Sequence, residues 1–96
     1  MKLIELDPRW TASSPDRSGV GMTFDCPFHH DGHEPLRVGC RIGVRFKNPV
    51  DGGAPYHEGP LWERQGDTFE TLTLKPSIAA TGCWHGFITN GEVVNA

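Results

Sequence analysis

No stretch of this chain approaches the roughly 18 consecutive apolar residues that a membrane-spanning helix needs, and no apolar, signal-like segment follows Met1-Lys2. Cysteine is scarce: three residues cannot all pair, so a disulfide framework is not expected and reduced thiols fit better. Charge of one sign is lacking too, because a net charge of -3 exerts no general pull toward nucleic acid. The expectation is a soluble, cytoplasmic protein. Helical periodicity is absent, and so are repeats, a phosphate-binding glycine loop, a dinucleotide fingerprint and a Gly-x-Ser-x-Gly nucleophile turn.

The hydrophobic share, 36% of 96 residues, is low, while 12 glycines and 8 prolines are many for that length. Short strands and frequent turns follow, in one small domain spanning residues 1–96 with a thin core. The expected fold is mainly β, an antiparallel sheet with a C-terminal hairpin, clasped by a zinc site.

The strand pattern supports this in detail. Leu3-Ile4-Glu5-Leu6 reads as a first strand stopped by Asp7-Pro8, residues 11–19 as a polar loop, and 20–24 as a second strand ending at Cys26-Pro27. Residues 39–47 alternate apolar Cys40, Ile42, Val44 and Phe46 with Arg41, Gly43, Arg45 and Lys47. Asn48-Pro49-Val50-Asp51-Gly52-Gly53 is a turn that opens a long irregular loop through Gly59-Pro60. Residues 68–74 predict a strand ended by Pro76, with Leu72 and Leu74 on one face. Residues 83–89 and 92–95, joined by Asn90-Gly91, predict a hairpin, since Asn-Gly suits a type I′ turn.

Two segments carry candidate chemistry. Cys26-Pro27-Phe28-His29 is a Cys-x-x-His turn after a strand. Cys83-Trp84-His85 puts a thiol and an imidazole on one strand face, about 7 Å apart along the chain. Cys26, His29, Cys83 and His85 together make a two-sulfur, two-nitrogen set suited to a closed structural zinc. His30 or His33 could replace His29. Cys40, in register with Ile42 and Val44, reads as a core thiol, and Trp84 falls on the face opposite Cys83 and His85.

The strings Asn48 to Gly53, Phe69-Glu70-Thr71-Leu72-Thr73-Leu74-Lys75-Pro76-Ser77-Ile78 and Trp84-His85-Gly86-Phe87-Ile88-Thr89-Asn90-Gly91-Glu92 carry a resemblance across most of the chain. They resemble a family of short phage and prophage proteins with a domain of unknown function, some of which bear a mistaken ammonia monooxygenase label. Relatives in that family have a Cys-Pro turn matching Cys26-Pro27 and a His-x-His pair where Cys83 and His85 stand. The resemblance implies a metal site and brings no activity with it.

Three functions follow as expectations. The first is a zinc-stabilised phage or prophage accessory protein, not itself an enzyme, that binds another macromolecule such as a host protein. The second is a metal-dependent hydrolase with an open zinc position, drawing on His30, His33 or Glu34. The third is a nucleic-acid binder through the basic strand face of Arg37, Arg41, Arg45 and Lys47, the same face that could meet a protein partner.

Overall fold

Alternation builds most of the core. A computed structural model describes residues 1–14, 17–27, 41–55, 59–80 and 84–96. Seven strands are described among them: β1 (Arg9–Ser14), β2 (Arg17–Asp25), β3 (Arg41–Arg45), β4 (Glu63–Gln65), β5 (Thr73–Ala80), β6 (Trp84–Thr89) and β7 (Glu92–Asn95). They form two antiparallel sheets, β1-β2-β3 and β4-β5-β6-β7, each a simple meander. Val20, Met22, Phe24 and Cys26 alternate inward from β2 and its end, Ile42, Val44 and Phe46 from β3, Leu74 and Ile78 from β5, and Trp84 and Ile88 from β6. The fold is therefore mainly β, as the sequence implies, with two sheets where one was expected.

A seam joins the sheets. Past the end of β3, Phe46 bridges in parallel to Trp62: the Lys47 amide donates to Trp62 O (2.8 Å) and the Trp62 amide to Arg45 O (2.8 Å). Asn48 extends the seam with its side chain, its Nδ2 donating to Arg64 O (2.8 Å) and its Oδ1 accepting from Arg64 N (2.9 Å). A carboxamide thus takes the place of a peptide group in a strand pair. Arg64 is fixed further by Gly66 O, Asp67 and the face of Phe46.

Several local expectations are corrected. Leu3–Leu6 is a 3₁₀ turn rather than a strand, since three residues per turn bury both Leu3 and Leu6 while strand alternation would bury only one. Part of the expected polar loop is strand, β1 and the start of β2. Its pairing slips at Thr11/Ala12 and Ala12/Ser14, which hides the period of two. Trp10 of β1 stacks on Phe69 with ring centroids 4.2 Å apart. Residues 68–71 form a turn, closed by the Thr71 amide on Thr68 O (3.2 Å), so the strand begins at Thr73 and passes through Pro76 instead of ending before it. The short β4 was unforeseen.

Other expectations hold. Leu72 and Leu74 are both buried. Asn90 and Gly91 have φ of 48° and 76°, as a type I′ turn requires, and the hairpin pairs Gly86 with Asn95 through Thr89 with Glu92. The turn after Asn48 is closed by the Gly52 amide on Pro49 O (3.0 Å). Arg17 ties that turn to β2, with Nε donating to Asp51 Oδ2 (2.6 Å) and Nη2 to Ala54 O (2.5 Å).

Candidate functional site: a serine and a histidine on an open sheet face

The strand pair β5–β6 is irregular where a proline enters it. Leu74 pairs with Ile88 and Ile78 with Gly86, so Lys75, Pro76 and Ser77 together oppose the single residue Phe87. Pro76 has no amide hydrogen and sits where no ladder bond is required, which is why the strand can carry it; the Lys75–Pro76 peptide is cis. Bulges of this kind re-aim side chains and recur beside active sites. Here the bulge brings the Ser77 hydroxyl toward the diagonal neighbour on β6, and Ser77 Oγ lies 3.3 Å from His85 Nε2.

Both side chains are reachable from solvent. The β6 burial pattern alternates strictly, with Trp84, Gly86 and Ile88 inward and His85, Phe87 and Thr89 outward. The backbone behind the serine is pinned from the other edge, where the Trp62 indole Nε1 donates to Ser77 O (3.2 Å). On the inner face Trp84 lies edge-on to Phe24 and its Nε1 donates to Asn95 Oδ1 (2.7 Å), fixing the strand that carries His85. A hydroxyl and an imidazole are the groups that serve as nucleophile and base in covalent catalysis, where their contact commonly tightens once substrate is bound.

Of the four residues first singled out for zinc, Cys26 and His85 are described. Cys26 is wholly buried in the core cluster and His85 projects from the outer face of β6, so these two do not share a face. His29, Cys83, His30 and His33 lie outside the described residues, as do Cys40 and Glu34. Among the described residues, no three His, Cys, Asp or Glu side chains cluster as a metal site would. Trp84 does face away from His85, into the core.

Of the basic strand face, Arg41 is committed to internal contacts. Arg41 Nη1 donates to Asp25 Oδ1 (2.7 Å) and its Nη2 to Asp7 O (2.7 Å), so its charge is spent on joining β2 and β3 to the N-terminal turn. Arg45 is half-buried beside Gly43, Pro60 and Trp62, Lys47 is exposed, and Arg37 lies outside the described residues. No helix among the described residues is long and apolar enough to cross a membrane.

Ser77 escaped the sequence reading, although it lies within a string that carried the family resemblance. A serine and a histidine eight positions apart form no local motif; only a bulged hairpin brings them together. The proline inside an otherwise regular strand pattern was the available clue, because it marks a departure from the ladder.

Fold and site together define a small two-sheet β domain presenting a serine–histidine pair on an open strand face. Residues 4–96 match the model of a family described as "Bacterial ubiquitination-like system serine protease (BubE)", and the chain belongs to that family. No curated protein and no solved structure matches the chain.

Proposed function

We propose that this protein is a serine hydrolase that cleaves an acyl bond, peptide, isopeptide or ester, in a protein of a bacterial ubiquitination-like system. The observation that carries this reading is the 3.3 Å contact between Ser77 Oγ and His85 Nε2 in the β5 bulge, in a member of a family described as serine proteases. It replaces the non-catalytic binding protein expected from sequence.

The roles follow from the geometry. With Nε2 unprotonated, His85 takes the Ser77 hydroxyl proton as Oγ bonds to the substrate carbonyl carbon. The tetrahedral intermediate collapses, the bond to the leaving nitrogen or oxygen breaks, and His85 returns the proton to that atom. Water then attacks the Ser77 acyl ester, giving its proton to His85, and the acid product leaves with the Ser77 hydroxyl restored. Trp62 acts as a positioning residue through Ser77 O. Giving His85 to this pair removes it from the zinc set. A structural zinc would then draw on Cys26, Cys83 and the histidines at 29, 30 and 33.

Labelling tests this directly. Incubation with a fluorophosphonate should place a single phosphonyl group on Ser77, located by mass spectrometry of the peptide. Ser77→Ala should abolish the adduct and His85→Gln should reduce it at least about a hundredfold. Labelling that survives Ser77→Ala, or a folded wild-type protein that takes no label, would refute the assignment.

A further inference from the structure

The outer face of the β4–β7 sheet exposes large apolar side chains where it borders Ser77. Phe87 and Val94 are cross-strand partners on that face, and they are 44% and 49% exposed. Neither belongs to the core cluster, which lies on the opposite side of the sheet. Beside the β5 bulge lies an open groove of about 500 Å³, lined by Thr73, Leu74, Lys75, Pro76, Ser77, Phe87 and Thr89. Ser77 is thus a wall of the groove as well as the partner of His85.

We infer that this groove is the acyl-side subsite of the enzyme and that it selects a substrate with an apolar side chain next to the scissile carbonyl. The inference rests on the Ser77–His85 reading and adds the substrate chemistry to it. A carbonyl attacked by Ser77 Oγ must lie within bonding reach of the groove wall, so the side chain beside that carbonyl has the groove as its nearest surface. The Pro76 and Phe87 rings and the threonine methyl groups offer that side chain van der Waals contact and exclusion of water. A charged side chain would lose hydration there without gaining a partner of opposite sign, except at the Lys75 rim.

A series of p-nitrophenyl esters from acetate to hexanoate reads the groove without knowledge of the natural substrate. Full burial of a methylene is worth roughly fourfold, so four added methylenes half covered in an open groove should raise kcat/KM about fifteenfold. Phe87→Ala should cut that hexanoate-to-acetate ratio to about threefold or less, and Thr89→Glu, which places a charge in the groove, should do the same. Both positions are exposed, and circular dichroism will verify the fold of each variant. Turnover that depends on Ser77 but shows a flat ratio in the wild type, or one unchanged in both variants, would overturn the subsite and leave the dyad standing. Turnover that persists in Ser77→Ala, or none that depends on Ser77, would overturn both. If Phe87→Ala converts a dimer to a monomer with the ratio intact, the patch is a contact between copies and the subsite is refuted.

Discussion

Replacing Gly86 with alanine should be the most damaging single-methyl change near the site, and its cost can be worked from the neighbours. Gly86 lies on β6 between His85 and Phe87 and faces the core. A Cβ there would overlap Trp84 Cζ2 and the backbone oxygen of Val94, and would stand 2.7 Å from Trp84 Cε2. Carbon atoms pack at about 3.5–4.0 Å, so something must move. If the indole swings away, it gives up its bond to Asn95, worth about 1 kcal/mol, and its edge contact with Phe24, worth about 1 kcal/mol. Displacing it into a filled core adds about 1–3 kcal/mol. If β7 retreats instead, the hairpin ladder is lost. The expected cost is about 3 kcal/mol, which in a domain of this size lowers the melting temperature by about 12–24 °C. Gly43→Ala provides the control, because its Cβ would meet only Thr23 Cγ2 at 3.7 Å, an ordinary contact. That change should fall within about 1 kcal/mol of wild type, since the stiffer unfolded chain offsets any small strain. Thermal melts followed by tryptophan fluorescence would decide. Equal melting temperatures for the two variants would refute the packing argument.

Two further outcomes concern the ion pair and the serine's support. The Arg17 side chain, assisted by the Gly53 amide, holds the Asp51 carboxyl below its ordinary value of 3.8. A depressed folded value stabilises the protein above the unfolded-state value, and the contribution is lost as pH falls through the folded one. The melting-temperature gap between wild type and Asp51→Asn should therefore be constant above about pH 5 and close progressively below pH 4; a gap that widens in acid would contradict this. Trp62→Phe keeps an aromatic ring but removes the donor to Ser77 O, so the melting temperature should fall by about 4–8 °C for the one bond lost, and at a temperature where the variant is fully folded kcat should still fall roughly tenfold with KM little changed. Full kcat in the folded variant would make Trp62 merely structural.

Legibility in the sequence tracked how local each determinant is. The C-terminal hairpin was readable because Asn90-Gly91 fixes the turn and Trp84, Gly86 and Ile88 keep a clean alternation against His85, Phe87 and Thr89. The β3 strand was readable for the same reason. β1 was hidden by its slipped pairing, and β4 by its length of three residues and its dependence on the remote Asn48 side chain. The Leu3–Leu6 segment has hydrophobic spacing that fits a strand or a 3₁₀ turn, and only its place over the core decides. The Ser77–His85 pair was the least visible. It arises from a mismatch of three residues against one, and sequence periodicity describes only the regular part of a ladder.

Trp62 sits at two junctions at once. Its backbone closes the seam between the two sheets, and its indole holds the carbonyl of the serine. Any event that unzips the seam therefore also releases the backbone of Ser77, the proposed nucleophile, even if β5, β6 and β7 stay paired. Catalytic competence would then report on the joining of the two halves, and a misassembled or nicked molecule would fall silent before it unfolded. In the serine hydrolase proposed above, that coupling would work as a built-in safety catch.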